Sequence, residues 1–120
     1  MTTTPNPQDD KELLELAAKA AGLTPHVSQS AGEGVLLASM VYWSPLTDDG
    51  DALRLAVKLN IGIRSHGPDH WQQPNVSVAL YDLGESGGRV TVHHGDDPSY
   101  STRRAIVRAA AEIARQESSQ

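Results

Sequence analysis

The sequence contains no cysteine and no phenylalanine, and aromatic residues make up only 4% of its 120 residues. Without cysteine there is no disulfide framework, no thiolate metal ligand and no cysteine nucleophile, which fits a reducing cytoplasm. Without phenylalanine, the hydrophobic core must be built from Leu, Val, Ile and Ala. We therefore expect a core of short side chains.

Long apolar runs and an excess of basic residues are also missing. The longest apolar run, residues 35–43, is far too short to span a bilayer, and the first residues lack the basic and apolar regions of a signal peptide. The formal net charge of −5 offers no basic surface for nucleic acid. We expect one domain that binds neither nucleic acid nor membranes.

Three amphipathic helices are predicted, over residues 9–21, 48–59 and 98–115. Their expected N-caps are Asp9, Thr47 and Asp97, and Asp9 is followed by a glutamate three residues later, as in a capping box. Gly22 and Asn60 provide the stop signals of the first two helices. The predicted core stripes are Leu13, Leu16, Ala17, Ala20 and Ala21 in the first helix, Ala52, Leu53, Ala56, Val57 and Leu59 in the second, and Ile106, Ala110 and Ile113 in the third.

Four segments have the patterns of β-strands. Residues 35–42 are apolar at both alternating positions, which favours a buried strand, whereas residues 61–66, 76–81 and 89–93 alternate. The Gly-rich residues 84–88 predict a hairpin loop. Together these patterns predict an α+β fold, in which an antiparallel meander of three to four strands packs with three helices as a layered α/β sandwich. The domain is expected to cover residues 9–116, after a disordered tail (1–8) and before a frayed end (117–120).

Histidines near the predicted strand ends form a candidate metal site. His66 and His70 flank Asp69 in one loop, and His93 lies near the end of another strand. If these strands pair, three imidazoles and a carboxylate could approach one end of the sheet, and such ligands suit zinc and hydrolytic chemistry. The spacing matches no ligand motif, and solvated histidines are the simpler interpretation. We therefore expect no cofactor.

Aromatic residues in loops are candidates for protein binding, because exposed tryptophans anchor interfaces. The predicted loop 64–74 carries Trp71 beside Arg64 and His70, and Trp43 ends the apolar run. Burial at the edge of a core without phenylalanine is the alternative interpretation for both tryptophans. The last helix adds a row of arginines that could bind a phosphate or a partner's acidic group, although such rows are more often solvated: Arg103, Arg104 and Arg108.

Two stretches and one tryptophan resemble the small phage and prophage proteins grouped as the phage ABA sandwich domain. The stretches are the helix start Trp43-Ser-Pro-Leu-Thr-Asp-Asp-Gly-Asp-Ala-Leu53 and the later Ala105-Ile-Val-Arg-Ala-Ala110, and the tryptophan is Trp71. The resemblance covers residues 43–115. It implies a sheet layered with helices, a bacterial cytoplasm and a phage or prophage origin, and it brings no activity or ligand site.

The function that we predict is binding to a host or phage protein without catalysis. The expected binding face is the loop 64–74 end of the sheet, with Trp71 as its anchor. Two alternatives stay open. One is a small metal-dependent hydrolase that uses the histidine site, and the other is a subunit of a homo-oligomer in which residues 35–42 form an interface.

Overall fold

The computed structural model describes residues 7–25, 34–82 and 87–118, and within them it contains three helices and five strands. Their order is α1 (Pro7–Ala20), β1 (Val35–Leu36), β2 (Tyr42–Trp43), α2 (Asp49–Leu59), β3 (Gly62–His66), β4 (Val76–Asp82), β5 (Gly87–His93) and α3 (Pro98–Ser118). Strands β3, β4 and β5 form an antiparallel meander, and β1 and β2 form a separate antiparallel pair. The predicted α+β class with its meander and helices is confirmed.

Two of the described helices extend past the expected domain limits. Helix α1 begins at Pro7 rather than Asp9, so Asp9 lies within the helix instead of capping it, and α3 continues to Ser118. The remaining residues of the predicted tail (1–6) and frayed end (119–120) lie outside the described residues. So do residues 26–33, between α1 and β1, and residues 83–86, between β4 and β5. The last two glycines of the predicted hairpin loop, Gly87 and Gly88, belong to β5.

Helix α3 is the centre of the fold, because it packs against α1, α2 and the three-stranded sheet. The predicted stripe is confirmed, since Ile106, Ala110 and Ile113 are all buried, but further positions between them are buried as well. Five residues around most of the helix circumference are 0% exposed, and most of them are alanines: Ala105, Val107, Ala109, Ala110 and Ala111. The exposed Arg108 and Arg115 lie on the remaining side. Small side chains let several elements approach one helix closely. None of the described helices is both long and apolar enough to cross a membrane.

Helix α1 buries a row that is rotated from the predicted one. Leu14, Ala17, Ala18 and Ala21 are buried at i, i+3, i+4 and i+7, whereas Leu13, Leu16 and Ala20 are only half-buried. Apolar residues occupy two adjacent rows of this helix, so periodicity alone did not choose between them. The stop signal is confirmed, because Gly22 has a φ of 75° and the Leu23 N–H donates to the Ala18 carbonyl at 2.8 Å.

Helix α2 differs from its prediction at the cap and in its buried face. The N-cap is Asp48 rather than Thr47, and its carboxylate accepts a hydrogen bond from the Asp51 N–H at 2.8 Å. Ala52, Leu55 and Ala56 are buried, so the prediction that Leu53 and Val57 would be buried is wrong; those two are 58% and 68% exposed. The predicted stop is confirmed, since Asn60 is left-handed and its N–H reaches the Ala56 and Val57 carbonyls.

The prediction of one buried strand over residues 35–42 is wrong. The segment folds back on itself, so that Val35 pairs with Trp43 and Leu36 with Tyr42. The turn is closed by the Leu37 N–H, which donates to the Val41 carbonyl at 2.9 Å, and Met40 adopts a φ of 67°. No Gly or Pro marks this turn in the sequence. As a result, apolar residues of the segment are divided between the core and the surface.

Candidate functional site

The meander has one face on α3 and one face turned away from it. Ser77 and Ala79 of β4 lie on the inner face, where Ser77 Oγ bonds Thr102 Oγ1 of α3 at 2.7 Å. Val76 and Val78 alternate with them and therefore point outward. They are nevertheless only 2% and 1% exposed. The outer face must consequently carry a cover of its own.

That cover is the connection between β3 and β4, residues 67–75, which we call the Trp71 loop. Gln73 of this loop bonds both edge strands of the sheet. Its backbone carbonyl bonds His66 Nδ1 of β3 at 2.9 Å, and its side-chain oxygen accepts from Arg89 Nη2 of β5 at 2.6 Å. Because β4 lies between β3 and β5, Gln73 and the side chains of His66 and Arg89 together form a bridge over the middle strand. The Trp71 loop is therefore folded back onto the sheet.

Backbone hydrogen bonds close the base of the Trp71 loop. The N–H groups of His70 and Asn75 both donate to the Gly67 carbonyl, at 3.3 and 3.1 Å. Asn75 has a φ of 58°, and its carbonyl accepts from the His94 N–H at 2.9 Å, which ties the end of the loop to the end of β5. Asparagine tolerates this left-handed conformation better than most residues. The loop thus has a defined shape at both ends.

A pair of stacked imidazoles lies inside this arrangement. The rings of His66 and His70 have centroids 3.7 Å apart and are inclined by 2°. His70 Nδ1 accepts from the N–H groups of Gln72 and Gln73 at 3.2 and 3.1 Å, which requires that nitrogen to be unprotonated. Desolvation lowers the pKa of His70 below its usual 6.5, and repulsion from His66 and Arg64 lowers it further. Both effects favour the neutral ring.

Trp71 lies at the exposed end of the loop, with 83% of its surface accessible. Arg64 is exposed on the outer face of β3, in register with Val78, and His70 is partly exposed beside Trp71. These three predicted binding residues therefore lie on or beside one surface. Trp43, the fourth, is only 7% exposed and belongs to the core. Its expected place on a binding surface is corrected to a packing role.

The predicted metal ligands do not converge. Stacked parallel rings direct the nitrogen lone pairs of His66 and His70 along parallel planes rather than to one point. His93 pairs with Val76, which in turn pairs with His66, so the two histidines are two strand spacings apart, about 10 Å. Asp69 is exposed in the loop. In the described parts of the chain, no group of three or more metal-ligating side chains could hold an ion.

A serine and a histidine do meet, but under the sheet. Ser77 Oγ lies 3.0 Å from His94 Nε2 and also bonds Thr102 Oγ1, while the Ser101 hydroxyl donates to the His94 carbonyl at 2.7 Å. Ser77 is 0% exposed. A substrate has no access to this hydroxyl, so the pair connects β4, β5 and α3 rather than forming a hydrolytic site.

The predicted arginine row divides into different roles. Arg103 donates to the Leu46 carbonyl at 2.9 Å and to Asp49 at 2.6 Å, which fastens α3 to the start of α2. Arg104 donates to Asp10 of α1 at 2.8 Å. Burial alone would lower the pKa of Arg104, but the hydrogen bond and charge of Asp10, helped by Tyr100, outweigh it and raise that pKa. Arg108 is exposed and takes part in neither link.

Sequence reasoning missed Gln73 and Asn75. Gln73 has no sequence signal, because its role comes from a tertiary contact with Arg89, sixteen residues away. Asn75 follows a proline and precedes a strand, and an asparagine at such a junction is a recognisable signal for a left-handed residue.

Comparison with protein-family models and with curated proteins gives no match. Among solved structures, the fold is similar to the 2.0 Å crystal structure of a phage protein from Bacillus cereus ATCC 14579, with a TM-score of 0.53 and 11% sequence identity. The alignment covers 96% of this chain and 93% of the phage protein. This chain therefore shares its fold with a phage protein over nearly its whole length.

Proposed function

We propose that the protein is a non-enzymatic binding module of phage or prophage origin, and that its Trp71 loop contacts a host or phage protein. The observation that carries the proposal is the 83% exposure of Trp71 on a loop whose backbone is held in place. Large exposed aromatic side chains are costly to leave in water. Burying one tryptophan at an interface contributes up to roughly 4–6 kcal/mol before the costs of association.

The shape of the loop supports this proposal, because a fixed loop loses little conformational entropy on binding. Gln73 accepts hydrogen bonds from His66 of β3 and Arg89 of β5, and these bonds hold the residues that follow Trp71. Arg64 and His70 beside the tryptophan supply polar groups for the rim of an interface. A standard interface needs about 800 Å² from each partner, which a domain of this size can provide.

The fold similarity and the sequence resemblance support the biological setting of the proposal. A phage protein has the same fold, and the residues quoted above resemble the phage ABA sandwich domain. We accordingly propose membership of that group and action in the cytoplasm of a bacterial host. The hydrolase alternative loses support, because its histidines and Asp69 do not share a ligand geometry.

A homo-oligomer subunit is the second candidate, and the hairpin of residues 35–43 favours it. Met40, Val41 and Tyr42 are 66%, 57% and 54% exposed in succession, which is unusual for apolar side chains that have no role in an interface. Light scattering after size-exclusion chromatography tests this candidate. A mass above one chain that Val41→Asp lowers to one chain supports it, and a monomeric wild type contradicts it.

The test of the main proposal is affinity capture from bacterial lysate, followed by mass spectrometry, with the tagged wild type, Trp71→Ala and Leu53→Ala. Leu53 is a matched control because it is an exposed apolar residue on α2, away from the Trp71 loop. We expect one dominant protein with wild type and Leu53→Ala, and its loss with Trp71→Ala. Capture that is equal for all three proteins, or absent for all, contradicts binding through the Trp71 loop.

A further inference from the structure

A cavity of about 420 Å³ opens on the side of the molecule where β5 lies near α1 and α3. Its lining contains no residue of the Trp71 loop, and it uses the end of the sheet where β4 and β5 approach their connection. Three arginines line it, Arg89 from β5 and Arg108 and Arg115 from α3, together with the single carboxylate of Glu112. Cavities of this size hold small-molecule ligands in many proteins.

The charge of the cavity is opposite to that of the protein. The chain has 10 Lys and Arg against 15 Asp and Glu, for a net charge of −5. Three of those ten cations nevertheless line one cavity that has one acidic side chain. Guanidinium groups that outnumber the nearby counter-charges repel one another. An anion bound between them would relieve that repulsion.

The three arginines differ in how much of their hydrogen-bonding capacity is used. Arg115 Nη1 donates to Glu112 at 3.1 Å, and Arg89 Nη2 donates to Gln73 at 2.6 Å. For Arg108, the described part of the chain provides no ion pair or hydrogen-bond acceptor for the guanidinium group. A guanidinium has five N–H donors in a planar fork that matches the oxygens of a carboxylate or phosphate. Arg108 therefore has its whole fork available.

The rest of the lining suits an organic group attached to the anion. Leu13 of α1 and Val90 of β5 supply apolar surface, and Tyr81 supplies an aromatic ring. The Tyr81 hydroxyl accepts from Gln116 Nε2 at 3.2 Å, so the ring is held from the α3 side. A cavity with a cationic part and an apolar part matches a small molecule with an oxyanion at one end.

We propose that this cavity is a binding site for a small organic oxyanion, a carboxylate or a phosphate ester, with Arg108 as the principal ligand-binding residue. Arg115 completes the site when its bond to Glu112 is exchanged for the ligand, and Glu112 opposes binding through its own charge. Arg89 lines the cavity, while its guanidinium group stays bonded to Gln73. The site does not depend on the Trp71 loop binding a partner.

The test is a titration followed by NMR of the arginine Nε–Hε signals, at constant ionic strength, with inorganic phosphate in one arm and succinate in the other. Chloride, added as sodium chloride, is the reference anion. The proteins are wild type, Arg108→Gln, Glu112→Gln and Lys58→Gln. Lys58 is the matched control, because it loses the same charge from an exposed position on α2 that does not line the cavity.

We expect saturable shifts of the Arg108 and Arg115 signals with at least one of the two probes, and the tighter probe identifies the oxyanion class. Arg108→Gln should weaken binding at least about tenfold, whereas Glu112→Gln should tighten it. Lys58→Gln should bind as wild type does. Shifts that are absent, or that sodium chloride reproduces, overturn the proposal. Equal weakening by Arg108→Gln and Lys58→Gln, or no tightening in Glu112→Gln, overturns it as well.

Discussion

The imidazole rings of His66 and His70 are parallel, with centroids 3.7 Å apart, and both bond the backbone of Gln73. His66 Nδ1 donates to the Gln73 carbonyl, and His70 Nδ1 accepts from the Gln72 and Gln73 N–H groups. Protonation of His70 would place an N–H against two N–H donors. The conformation of the Trp71 loop is therefore tied to the neutral form of one histidine.

A first prediction concerns pH. Since the pKa of His70 is lower in the folded protein than its usual 6.5, the unfolded chain binds more protons below that pH, and stability falls as the pH decreases from 6.5. His70→Asn keeps an acceptor near the two N–H groups and removes the titration. Urea unfolding between pH 5 and pH 7 should show a steeper loss for wild type than for His70→Asn. Parallel pH curves would contradict this assignment.

A second prediction concerns the contact between Gln73 and Arg89. Gln73→Ala removes the side-chain acceptor and should lower the free energy of unfolding by about 0.5–1.5 kcal/mol. It should also speed hydrogen exchange in the Trp71 loop. Gln72→Ala is the control, since Gln72 is an exposed glutamine in the same loop. Equal exchange rates in the two variants would show that backbone bonds alone hold the loop.

A third prediction concerns packing around α3. Ala109 is 0% exposed, so Ala109→Leu adds three carbon atoms where no space is available, and it should destabilise the fold by about 1–3 kcal/mol. Lys58→Leu introduces the same side chain at an exposed position of α2 and should change stability by less than about 0.5 kcal/mol. Chemical denaturation measures both. A tolerated Ala109→Leu would mean that α3 is less enclosed than described.

A fourth prediction concerns Asp48, the N-cap of α2. Asp48→Ala removes the carboxylate that accepts from the Asp51 N–H and should cost about 0.5–2 kcal/mol. Asp48→Asn keeps an acceptor oxygen and should retain most of that stability. Thermal unfolding of the two variants measures the difference. Equal destabilisation by both would assign the effect to the charge of Asp48 rather than to its hydrogen bond.

The elements of the fold were predictable where a local signal existed. Asn60 and Gly22 ended their helices as expected, and the alternating strands paired as a meander. Where a helix has two adjacent rows of apolar residues, the sequence did not predict which row would be buried. In α2, Leu53 and Leu55 are chemically identical, and only the position of α3 decides that Leu55 is the buried one.

Some residues of the candidate site were likewise predictable from local sequence, and others were not. Trp71, Arg64 and His70 were found from residue type and loop position, since those features are local. The burial of Trp43 depends on the hairpin turn at Met40, which has no Gly or Pro to mark it. The cover formed by Gln73 and the cavity around Arg108 each join segments that are far apart in sequence. Such sites arise from tertiary structure.

Helix α3, the shared neighbour of α1, α2 and the sheet, is also the last of the described elements along the chain. During translation, α1, α2 and the three-stranded sheet therefore wait for residues 98–118 before the helix that they pack against exists. Ribosomes add about 5–20 residues per second, so the apolar surfaces of α1 and the sheet stay uncovered for seconds. Stalled chains that lack α3 should be captured by chaperones, and the domain should fold only after these residues leave the ribosome.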